Sequence, residues 1–164
     1  MHASLASLGD DQDEMDAAAL VAVFGATRAP SSSKASDLML VRRIAFKAIW
    51  DMPRRGRDLP RYVPWSAAAR TAFDGRSGTG LVMEHVVPIN LITGALVRGE
   101  QTTDAYLATL RSMYHLAVIT AAEDKALTTA GFRARHPDLA DPWSRYRAAG
   151  LDLDNFAVPT ESAR

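Results

Sequence analysis

The stretch Leu81-Val82-Met83-Glu84-His85-Val86-Val87-Pro88 decides how the rest of the chain is read. Its apolar opening is that of a short strand, and proline stops the strand just past an adjacent acid and imidazole. Metal-assisted hydrolysis of a phosphodiester needs such a pair. A carboxylate holds a hard cation and an imidazole takes a proton from water. Alone, the dipeptide is equally a surface glutamate beside a half-buried structural histidine, so the flanking chain has to choose.

Downstream, Ile89 to Val97 is apolar and closed by Gly99, and a helix is expected from about Thr103 to Tyr114, with Leu107, Leu110 and Met113 on one face. His115 then opens a second short strand, Leu116-Ala117-Val118-Ile119. Thr120-Ala121-Ala122-Glu123 is a capping box, which starts a helix running to about Thr129 and ended by Gly131. Asp124 and Lys125 sit in its first turn and a half. Arg133, Arg135 and His136 follow in a loop. Asp141-Pro142 starts a helix to Ala149, on which Trp143 and Tyr146 share a packing face.

Upstream, Gly75 to Gly80 is a glycine-rich turn into the first strand. It lacks the Gly-Lys-Ser/Thr ending of a phosphate loop. A helix is expected over Ser66 to Phe73, anchored by Trp65. Another is expected over Asp37 to Trp50, with Leu40, Val41, Ile44, Ala45, Ala48 and Ile49 as its inward stripe, Arg42, Arg43 and Lys47 away from it, and Pro53 ending it. A helix over about Glu14 to Phe24 precedes a serine- and proline-bearing linker. Residues 1–36 are thus expected to form an acidic, flexible arm and linker, a possible contact for a protein partner, and residues 37–164 a single domain.

The chain has 164 residues, no cysteine and a formal net charge of zero. Disulfides, thiolate zinc sites and cysteine nucleophiles are excluded. Neither a secretory signal nor a membrane span is expected, which fits a cytoplasmic protein. Charge is uneven. Acids alone precede Arg28, whereas Arg42, Arg43, Lys47, Arg54, Arg55, Arg57, Arg61, Arg70 and Arg76 face only Asp51, Asp58 and Asp74. That basic stretch reads either as a phosphate-binding stripe or as a solvated face with an arginine-rich loop.

A strand ending in Glu84-His85, a strand opened by His115 and a capped helix bearing Asp124 make a β-β-α series. Glu84-His85-Val86-Val87-Pro88, with His115 to Ile119 and Asp124 nine residues after His115, resembles the HNH nucleases of the ββα-metal superfamily over about residues 80–130. The resemblance implies an α+β fold, mostly helical around a small hairpin-plus-helix core. It implies a metal-dependent endonuclease acting on nucleic acid, DNA in preference to RNA. His85 would be the general base. Glu84 and Asp124 would be metal ligands, standing where the family more often has Asp and His. His115 would stand where Asn commonly orients the base. Two carboxylates imply Mg²⁺ or Mn²⁺. Arg54, Arg55, Arg57, Arg61, Arg76, Lys125 and Arg133 would contact phosphate. The competing readings are an inactive module of the same fold that binds nucleic acid or protein, and a helical regulatory protein. Oligomeric state is open at this stage.

Overall fold

A computed structural model of the chain describes residues 10–27, 35–55, 59, 61–73 and 78–159. In chain order the elements are α1 (Asp10–Ala26), α2 (Ala35–Phe46), a π-helical turn (Lys47–Asp51), α3 (Met52–Arg55), α4 (Ala67–Ala72), β1 (Leu81–His85), α5 (Ile89–Arg98), α6 (Thr103–Met113), β2 (Leu116–Thr120), α7 (Ala121–Thr129), α8 (Ser144–Ala148) and a 3-10 turn (Leu153–Asn155). The fold is α+β, mostly helical with one small two-stranded antiparallel sheet. No helix among the described residues is long and apolar enough to cross a membrane. The elements divide into two compact units. One holds α1, α2, the π turn, α3, α5 and α6, and the other holds α4, both strands, α7 and α8.

In the helical unit, α1 buries Ala17, Leu20 and Phe24, whose helical spacing makes one inward stripe. Phe24 meets Tyr106 of α6 edge to face, with ring centroids 5.9 Å apart. Asp13 and Asp16, read above as acids of a flexible arm, are ion-paired with Arg54. The inward face of α2 is not the one its leucine and isoleucine suggest. Arg42, Phe46 and Trp50 are buried, while Leu40, Val41 and Ile44 face solvent. Two aromatics outweigh the aliphatics in area removed from water. Arg42 accompanies them because it has acceptors: its Nε donates to Thr27 Oγ1 and its guanidinium to the Thr27 carbonyl, both at 2.8 Å, at the end of α1. The helix also continues past Trp50. Met52 N–H donates to the Lys47 carbonyl, five residues back, and Pro53 lies within the turn that follows. The wider π turn takes the chain into the proline, which has no N–H to return.

In the sheet unit, β1 and β2 pair in the register Leu81–Thr120, Met83–Val118 and His85–Leu116. The far edge of β2 is covered by Trp65. Ser66 N–H donates to Val118 O (3.0 Å) and Val118 N–H to Pro64 O (3.0 Å), while Trp65 exchanges hydrogen bonds with Ala157 at 2.9 and 3.1 Å. These pairings leave β2 bonded on both sides. The capping box is present: the Thr120 hydroxyl accepts from Glu123 N–H, and Glu123 Oε2 accepts from Thr120 N–H at 2.7 Å. The same oxygen accepts from the hydroxyl of Ser66, which caps α4. Gly131, at φ +81°, ends α7 in a Schellman motif, with Phe132 N–H on the Leu127 carbonyl at 2.9 Å. Val86, Ala117, Ile119, Leu127 and Tyr146 form the buried cluster beneath, with Trp143 and Phe156 against it.

Because Glu123 serves two helix starts, its loss exceeds an ordinary cap. Thr120→Ala is expected to lower the unfolding free energy by about 1 kcal/mol, and Glu123→Ala by more. Chemical denaturation of the two variants checks this, and equal losses would show that the Ser66 bond contributes nothing.

Candidate functional site

Successive strand residues point to opposite faces. Val82 and Val86 pack on the cluster formed with α7 and α8, so Glu84 shares their face, and His85 takes the other. Glu84 meets Arg145 there. This arginine, the second residue of α8, is 1% exposed. Its Nε donates to Val86 O at 2.6 Å and one terminal nitrogen to Phe132 O at 2.9 Å. The other donates to Glu84 Oε1 at 2.5 Å and to the His85 carbonyl. A buried guanidinium survives only when paired and hydrogen-bonded, and here every acceptor comes from the end of β1 or the loop after α7. Arg145 was legible only as a neighbour of Trp143 and Tyr146 on a packing face. An arginine set between two aromatics on so short a helix was the available signal.

Tyr146 lies beside it. Its ring packs on Trp143 and Phe156 at 5.5 and 5.9 Å, and its hydroxyl is buried with no hydrogen-bond partner among the described residues. Burial pushes the phenol well above its ordinary range and the Glu84 charge adds to the shift. The Arg145 charge opposes it, and Asp124 raises it further. The charges of Glu84, at the end of β1, and of Asp124, in the first turn of α7, both disfavour ionisation of this hydroxyl. Glu84 is 24% exposed at its side chain, and its Oε2 accepts no hydrogen bond among the described residues. Asp124 is half-buried and there makes neither an ion pair nor a hydrogen bond.

The other expected residues lie as follows. The His85 ring packs edge to face on Tyr114, centroids 5.8 Å apart, and is 6% exposed. His115 is half-buried just before β2, where its carbonyl accepts from Val86 N–H at 2.8 Å. Lys125 and Arg133 are exposed. Arg61 is exposed, with its guanidinium carbon 5.9 Å from the Phe73 ring. Arg54, expected at phosphate, has its guanidinium on Asp13, Asp16 and the Trp50 carbonyl, 3.5 Å above the Trp50 ring. Arg55 pairs with the buried Asp51 at 3.6 Å. Arg57 and Arg76 lie outside the described residues.

No group of three or more His, Asp or Glu side chains that could hold a metal occurs among the described residues. A four-ligand zinc site therefore does not fit the donor set there. Magnesium keeps most of its waters and takes only one or two carboxylates, so it asks less of the donor set than zinc does. No known family model, curated protein or solved structure matches the chain.

Arg145→Met is expected to destabilise the fold by about 3–5 kcal/mol, since Glu84 and the buried carbonyls lose their donors together. Tyr146→Phe should act oppositely, stabilising by about 1 kcal/mol by removing an unpartnered hydroxyl. The raised phenol also fixes a sign with pH. Its contribution is complete below pH 10.0, the ordinary value, and is lost as pH rises beyond it, because only the unfolded chain releases the proton there. Thermal melts across alkaline pH should show a shallower loss for Tyr146→Phe, and identical alkaline limbs would refute this role.

Proposed function

We propose that the chain is a metal-dependent endonuclease of ββα type, hydrolysing phosphodiester bonds in nucleic acid. The observation that carries the reading is the pair of carboxylates at the end of β1 and in the first turn of α7, Glu84 and Asp124, with Glu84 Oε2 and the Asp124 carboxylate accepting no hydrogen bond among the described residues. Strand β1 and, after α5 and α6, strand β2 and α7 come in β-β-α order, and the resemblance of Glu84 to Pro88 to the HNH motif agrees. A bound Mg²⁺ or Mn²⁺ would polarise the scissile phosphate and stabilise the leaving oxygen. Glu84 and Asp124 would hold it. Arg145 keeps Glu84 in place through Oε1, so Oε2 is the oxygen presented. The resemblance assigns the proton of the attacking water to His85, one residue further along β1, whose ring lies on the strand's other face against Tyr114. Arg61, Lys125 and Arg133, exposed in the same unit, would bind backbone phosphates, giving affinity without sequence information. DNA is the preferred substrate of this reading and RNA its control.

A specific observation favours the second reading, an inactive module of the same fold. The Glu84 charge is already balanced by Arg145, and the His85 imidazole is nearly buried against Tyr114. One experiment separates the two. Supercoiled plasmid should be nicked with Mg²⁺ or Mn²⁺ and spared with chelator. Glu84→Gln, Asp124→Asn and His85→Ala should each slow nicking about 10²-fold or more. Asp124→Asn should melt like the parent, whereas Glu84→Gln, which unpairs the buried Arg145, and His85→Ala, which removes a buried ring, should melt earlier. Nicking that survives His85→Ala would remove His85 as the base. Binding to DNA or RNA without cleavage of either would establish the module.

A further inference from the structure

From α2 through the π turn to α3 the helix carries two opposite rows at four-residue spacing. Arg42, Phe46, Trp50 and Arg54 point inward. Leu40, Ile44, Ala48 and Met52 point outward, the large ones 57%, 58% and 65% exposed. In a regular α-helix such a row drifts round the axis. The π turn at Lys47–Asp51 advances less angle per residue and cancels part of that drift, so the outward row stays one face. Scattered exposed side chains are ordinary, whereas an aligned row marks an interaction face.

We propose that this face pairs antiparallel with the same face of a second copy of the chain, about a two-fold axis passing beside Phe46. The face is complementary to itself under that operation. Leu40 and Met52 are equally far from Phe46, as are Ile44 and Ala48, so each large side chain meets a flexible or small one. Beside Met52 lies a groove of about 280 Å³ lined by Lys47, Asp51, Met52 and Arg55. The operation brings Leu40 and Val41 of the other copy to that groove. It also sets Asp37, exposed at the start of α2, against Arg55, which keeps its pair with Asp51 and offers a second side of its guanidinium, and the reverse on the other side of the axis. Knob and groove thus sit at opposite ends of one face, as a closed two-fold pair requires. A parallel pairing would instead stack Asp37 on Asp37 and Arg55 on Arg55.

Sedimentation equilibrium of the full chain is expected to show a monomer–dimer equilibrium. Leu40→Glu and Ile44→Glu should each weaken it about tenfold or more, as loss of an interface anchor does, with unchanged circular dichroism since both side chains are exposed. The chain has no cysteine, so geometry can be read by oxidation. Ile44→Cys with Ala48→Cys should give a disulfide-linked dimer in high yield, and Ile44→Cys alone much less. A chain monomeric at every concentration, a dimer indifferent to Leu40→Glu, or equal cross-linking by Ile44→Cys alone would overturn the proposal. A face that captures a different protein's helix while the chain stays monomeric would do the same.

Discussion

Arg145 is the group on which the sheet unit depends. A guanidinium out of water is tolerated only with its donors filled, and its acceptors tie together Glu84, His85, Val86 and Phe132. The end of β1, the exit from α7 and the start of α8 are thereby fixed to one another. The same group restrains the carboxylate nearest any chemistry. Fold and candidate site therefore share one cation, and a metal recruiting Glu84 would add to a pair that already exists instead of filling an empty charge.

The helical unit solves a different problem by similar means. A helix with two arginines on its buried row is unusual, and each is answered locally. Arg42 satisfies the end of α1 through Thr27. Arg54 meets Asp13 and Asp16 over the Trp50 ring. Acids near the start of the chain and a basic stretch thirty-odd residues on, which look like opposed surface features in a one-dimensional charge count, are in part the two halves of one buried network.

What the sequence disclosed followed local grammar. Thr120 to Glu123 announced α7, Gly131 ended it, and the apolar runs before Pro88 and Thr120 were strands, because capping and strand termination are settled within a few residues. The inward face of α2 was not legible. Its aliphatic stripe and its aromatic row lie on opposite sides, and the winner was decided by Thr27 and the acids of α1, which periodicity cannot see. Arg145 was hidden for the same reason: its partners are distant in the chain. Of the candidate site, Glu84 lies at the end of β1 and Asp124 in the first turn of α7, where the strand and capping signals placed them, while the expected company of His85 with Glu84 met the alternation of a strand, which turns neighbours apart.

The pairing of Trp65 has a consequence for the living chain. Trp65 bonds on one side to β2 and on the other to Ala157, and β1 waits for β2 across the whole of α5 and α6. Elongation runs from the first residue to the last, so a ribosome releases β1 and Trp65 long before either has a mate. β1 gains its mate when β2 emerges, and Trp65 gains its second partner only when Ala157 does. Until then two strand edges are open, the state in which nascent chains aggregate or are held by chaperones. The bridge from Trp65 to Ala157 thus joins segments far apart in the chain, and it is the last of these pairings that elongation allows.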